Sequence, residues 1–173
     1  KTKNEILNAR GESDAQALFI RYHDKKIDQK YAPQGDIALN LFNEMEQARC
    51  EAIGGIIYPG AAKNIENNVE KKSKKFFENS EPNKKFPLQD SLTLLIKKKA
   101  SDLKLSENSE KGLKMWEDFI LNESKSNFTK IIESIANQEE FAKLSRNIIK
   151  DLGYGDQLGD DPNKKDNAEN DNQ

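Results

Sequence analysis

The chain has 173 residues, 35% hydrophobic and 34% charged, with a net charge of −2, a balance too polar for a compact α/β enzyme but ordinary for one helical domain with exposed charged faces. A chain this long can bury roughly two-thirds of its unfolded surface. The single cysteine rules out an internal disulfide and fits a reducing cytoplasm, and no apolar run approaches the roughly 18–20 residues of a membrane helix, nor is there a signal-like start.

Residues 1–9 read as the end of an incoming helix, with Ile6 and Leu7 its apolar contribution and Gly11 its stop. Ser13 or Asp14 can cap a new helix and suits its macrodipole. From there Ala15, Leu18, Phe19 and Tyr22 fall at i, i+3, i+4 and i+7 and share one face. Arg10, Glu12, Asp14, Arg21, His23 and Asp24 make a charged rim beside that stripe. The connector YAPQGD, residues 31–36, places a proline and a glycine before Asp36 as the next cap. A second helix follows through Ile37, Leu41, Met45, Ala48 and Ala52, widened by Phe42 and Ile53. Its Glu46 and Arg49 are i, i+3 neighbours expected to pair on the surface. The two segments together read as a helical hairpin.

Residues 54–60, glycine at both ends, read as a break, and a third helix is expected from Ala61 to about Phe77 through Ala62, Ile65 and Val69. Its lysine run at 71–75 suits a helix C-terminus. A polar linker spans 78–86. The fourth helix starts at Pro87, a good first-turn residue, and carries Leu88, Leu92, Leu95 and Ile96 to about Leu103. After a polar connector at 106–109, a fifth carries Leu113, Trp116, Phe119 and Ile120, and a short sixth Phe128, Ile131, Ile132 and Ile135. The seventh runs from an Asn137 cap through Phe141, Leu144, Ile148 and Leu152 to Gly153. No stretch alternates at period two, so no sheet is expected. The expected fold is all-α, a bundle of about six to seven helices over residues 1–155. Residues 156–173 carry a net charge of −4 and are expected to form a disordered acidic tail or the start of a linker.

Nucleotide and metal signatures fail on inspection. Gly55 and Gly60 have P-loop spacing, but Ala61 and Ala62 stand where Lys and Ser/Thr must hold phosphate and magnesium. His23 beside Asp24 is a weak metal candidate, lacking a second His or Cys for a zinc set; a hydrogen-bonded structural histidine is the plainer reading. Cys50 reads as a buried apolar substitute. The lysine runs at 71–75 and 97–99 do not make a nucleic-acid site, because the chain is near neutral with four arginines in all. Arg10, Asp14, Arg21, His23, Asp24, Glu46, Arg49 and Glu51 admit two readings: solvated faces with pairs each contributing a few tenths of a kcal/mol, roughly, or a buried or interfacial network that fixes a docking surface.

The segments RGESDAQALFIRYHD (10–24), YAPQGD (31–36) and FNEMEQARCEAIG (42–54) resemble the N-terminal region of the CobT subunits of aerobic, ATP-dependent cobaltochelatases. The likeness is dense from about Arg10 to Glu66, thinner at 113–120 and 138–146, and returns in LGDDP at 158–162. It implies a place in a chelatase that inserts cobalt(II) into hydrogenobyrinic acid a,c-diamide for cobalamin synthesis. In such an assembly an AAA+ ATPase subunit uses ATP and magnesium, and a large subunit binds the tetrapyrrole. Members of that family continue through an acidic linker into a von Willebrand factor A domain. This chain is expected to be the helical part without it: a docking and assembly domain with no cofactor or catalytic residue of its own, and a possible homo-oligomer. One departure is the apolar GIIY at 55–58, where the family commonly has basic residues. An adaptor for an AAA+ ATPase acting on another metalloprotein, or a stand-alone helical interaction module, are the other classes the sequence fits. On the docking reading Arg49→Glu is expected to loosen partner binding more than it lowers the melting temperature.

Overall fold

The computed structural model describes residues 2–164. Among these the chain folds into eight α-helices and no strand: α1 (Lys3–Tyr22), α2 (Lys25–Tyr31), α3 (Asp36–Ile57), α4 (Pro59–Asn79), α5 (Leu88–Ser101), α6 (Glu107–Lys114), α7 (Glu117–Glu133) and α8 (Gln138–Ile149). A π-helical turn at Lys150–Tyr154 and a 3-10 turn at Gly155–Gln157 follow. The all-α expectation holds, with boundaries that differ for identifiable reasons.

α1 begins ten residues before the expected cap. Thr2 and Glu5 form a capping box, each side chain taking the other's backbone N–H. Gly11 does not end this helix; it is buried inside it. A Cβ there would lie 2.5 Å from the Asn64 carbonyl oxygen, so the glycine lets α1 lie close against α4. Asn68 Nδ2 donates to Asn8 O at 3.0 Å and Asn64 Nδ2 to Asp14 Oδ2 at 2.8 Å along the same seam.

Between the arms of the expected hairpin stands an additional short helix, α2, capped by the Asp24 carboxylate. The arms still meet: Leu18 packs on Gly54, and Gln47 Nε2 donates to the Ala15 carbonyl. Gly54 and Gly55 lie within α3, and the break narrows to Tyr58, after which Pro59 opens α4.

The core gathers around α3 and α5, where Leu41, Phe42, Met45 and Ala48 join Leu92, Leu95 and Ile96. α7 and α8 close it with Ile120, Phe128, Ile131, Phe141 and Ile148. The expected fifth helix divides at Met115–Trp116, where the Trp116 indole donates to the Phe86 carbonyl. Its second half runs on into the expected sixth, with Ser124 non-helical at the join. Asn137 caps α8 as expected.

Asp36 does not cap α3. Gln157, from beyond α8, does: its Oε1 accepts from Ile37 N at 3.0 Å and Ala38 N at 3.1 Å, and its carbonyl from Gly35 N at 2.9 Å. Arg146 donates to the carbonyls of Tyr31, Leu158 and Asp160. The expected disorder therefore does not reach Gln157, Leu158 and Asp160, whose carbonyls are held by Gly35 N at the start of α3 and by Arg146 of α8. Residues 165–173 of the expected tail lie outside the described residues.

Candidate functional site

α3 supplies the centre of the site. Its spacing sends Met45, Ala48 and Ala52 into the core, and Glu46 and Arg49, beside them on the helix, are also enclosed, at 5% and 2% exposure. Arg49 Nε donates to Glu46 Oε2 at 2.8 Å and Nη2 to Oε1 at 2.9 Å, a bidentate pair. The same fork reaches Tyr22 O at 2.6 Å and Ile135 O at 3.1 Å. These carbonyls stand at the ends of α1 and α7, where the backbone has run out of helical N–H partners and the macrodipole is negative. A guanidinium answers both needs at once.

Glu46 Oε1 also meets His23 Nδ1 at 3.0 Å. A carboxylate cannot donate, so Nδ1 carries the hydrogen; the approach of Gln138 Nε2 to the same nitrogen is longer, at 3.4 Å. The imidazole stacks on Phe19 with ring centroids 4.2 Å apart. Gln138 completes the knot: Oε1 accepts from Asp24 N at 2.7 Å and Arg49 Nη2 at 3.3 Å, and Nε2 donates to Asp24 O at 2.9 Å. One carboxamide thus satisfies both backbone groups of the residue joining α1 to α2. Cys50, fully buried, puts Sγ 3.5 Å from Glu46 Oε1. Burial above all, and then the Glu46 charge, pushes this thiol up to about 12, so it stays a thiol and not a nucleophile.

The structure brings together His23, Glu46, Arg49 and the backbone of Asp24, and places the other candidates elsewhere. The Asp24 carboxylate turns to the α2 N-terminus and accepts from Lys26 N at 2.8 Å, while His23 Nδ1 turns to Glu46. Arg10 is exposed on α1, and Asp14 lies in the α1–α4 seam. Arg21 is exposed, its guanidinium 5.7 Å from the centroid of Tyr22 and 6.0 Å from that of Tyr58. Glu51 belongs to a separate seam, accepting from Gln47 Nε2 at 3.0 Å and pairing with Lys97 Nζ at 3.2 Å.

The expected surface pairing of Glu46 with Arg49 is corrected: the pair is buried because four helix ends converge on it. Arg49→Glu would set a second carboxylate against Glu46 in the core, so a loss of stability must accompany any loss of binding. Gln138 and Lys97 escaped the sequence reading. Nothing distinguishes Gln138 from any first-turn polar residue, but Lys97 is three residues beyond Leu94 on a buried face, a spacing that separates it from the solvated lysines around it. Among the described residues no group of three or more His, Cys, Asp or Glu is placed to hold a metal. No helix among them is long and apolar enough to cross a membrane.

A family model described as Cobalamin biosynthesis protein CobT matches residues 1–173, the full length of the chain. No solved structure matches it.

Proposed function

Because the chain belongs to the CobT family of cobalamin biosynthesis proteins, we propose that it is a non-catalytic helical subunit of a cytoplasmic cobaltochelatase. It docks an AAA+ ATPase subunit and holds it to the large subunit that binds the tetrapyrrole. The ATPase subunit uses ATP and magnesium, and cobalt(II) is the substrate, inserted into hydrogenobyrinic acid a,c-diamide. The observation that supports this reading, beside the family match, is where the charges go. The Glu46–Arg49 pair is used up inside, tying α1, α2, α3, α7 and α8 into one body. Arg21 stays outside, steadied by two tyrosine rings and without a carboxylate partner among the described residues. A stiff body with outward charges transmits force and orientation between partners, and such charges set specificity and association rate.

Size-exclusion chromatography of the chain mixed with the cognate AAA+ subunit tests this, run without nucleotide, with ADP and with a non-hydrolysable ATP analogue. Co-elution is expected in at least one state. Arg21→Glu is expected to weaken it by about tenfold, equivalent to about 1.4 kcal/mol, without moving the melting temperature appreciably. Separate elution in every nucleotide state would end the docking reading.

A further inference from the structure

Glu66 shares a face of α4 with Val69 and Ser73, three and seven residues on. Those two residues line a cavity of about 140 Å3 between α3, α4 and α5, bounded also by Glu51 and Lys97. Both Glu66 carboxyl oxygens are enclosed, and neither has a hydrogen-bond partner among the described residues. An ionised carboxylate there forfeits its hydration without replacement. Beside it Lys97, 5% exposed, gives its ammonium to Glu51. One buried cation thus has two carboxyl groups within reach of its charge.

The charged groups acting on Glu66 are Lys97 from α5, Glu51 from α3 and Glu70 from its own helix. Ser106 and Asn108 donate to Glu70. Around the same junction Lys72 pairs with Asp90 at 2.9 Å near Glu44, Asn64 holds Asp14 of α1, and Lys98 holds Glu110 of α6 at 2.7 Å.

We propose that Glu66 is a proton-operated latch at the junction of α3, α4 and α5. With its proton on, Lys97 stays with Glu51 and α4 lies closed. When the proton leaves to water, the enclosed carboxylate is left charged with no hydrogen-bond donor, a cost that Lys97, already paired with Glu51, offsets only in part, and α4 loosens toward solvent together with the α1 helix packed on it. Burial is the chief reason Glu66 is pushed from 4.5 up to about 7, with Lys97 opposing and Glu70 and Glu51 reinforcing. A proton held more tightly in the folded state stabilises it fully below the ordinary glutamate range. That contribution declines as pH rises and is gone above about 7.

Carboxyl carbon NMR of the parent and of Glu66→Gln, with amide hydrogen exchange between about pH 6 and 8.5 corrected for intrinsic rates, tests the latch. The expected result is a Glu66 midpoint near 7, with α4 protection falling several-fold across the same range in the parent and staying level in Glu66→Gln. Titration of Glu66 in the ordinary carboxylate range would overturn the proposal. So would titration near 7 with α4 protection unchanged. The parent's own curves decide the matter if the variant folds poorly.

Discussion

Cutting back the Arg49 side chain leaves Glu46 buried without its cation and strips a donor from the carbonyls of Tyr22 and Ile135. Breaking one side of such a pair costs about 3–5 kcal/mol, so Arg49→Met is expected to lower denaturation midpoints strongly. Glu46→Gln added to Arg49→Met is expected to restore part of that, because the orphaned charge is gone. Urea denaturation of the two variants checks both statements, and a midpoint for Arg49→Met close to the parent's would contradict the buried knot. Cys50 is expected to resist iodoacetamide at about pH 8 in the folded chain and to react only on unfolding, since its thiol is enclosed and pushed up to about 12. At this scale the sequence was half legible. The i, i+3 spacing says that Glu46 and Arg49 meet; it says nothing of what covers them. That cover arrives from Ile135 and Gln138, 86 and 89 residues from Arg49.

Helices with sustained apolar periodicity were the readable ones. α3, α5 and α8 stand close to where their spacing puts them, because each buries a broad stripe in the core, and so does α4, which lays the half-buried Val69, Phe76 and Phe77 against it. α2 went unseen, being seven residues long with only Ile27 and Tyr31 as apolar contributors. The start of α1 is spelled by the Thr2 and Glu5 capping box, a signal that the expectation of an incoming helix ending at Gly11 passes over. Glycine is ambiguous in just this way: it can end a helix or let a neighbour come close. The two roles separate by substitution. Gly11→Leu is expected to push α1 off α4 and destabilise the fold, whereas Gly60, whose Cβ would meet nothing within 4 Å, is expected to accept alanine with a gain of about 0.4–1 kcal/mol. Thermal melts of the two variants should move in opposite directions. Gln157→Ala removes the only side chain capping α3 among the described residues. It is expected to cost about 1 kcal/mol and to speed amide exchange at Ile37 and Ala38.

Taken whole, the molecule is a helical body whose polar ties run inward. Arg49 and Gln138 knot the junctions of α1 with α2 and of α7 with α8, Arg146 and Gln157 bind residues 157–160 back onto the body, and Lys97 pairs with Glu51 across α3 and α5. Ties of this kind remove freedom between elements, which suits the proposed role of holding two partners in fixed relation. His23, Glu46, Arg49 and Glu51, which lie in the segments that carry the resemblance, are spent on such ties, so the surface a partner meets has to be sought among the exposed groups nearby. The most direct measurement is hydrogen exchange of the chain with and without the AAA+ subunit, in each nucleotide state. New protection is expected at the adjoining C-terminal ends of α1 and α3, around Arg21 and Tyr58, while the amides beside Arg49 keep the protection they already have. Exchange unchanged at those two helix ends in every nucleotide state would contradict the account.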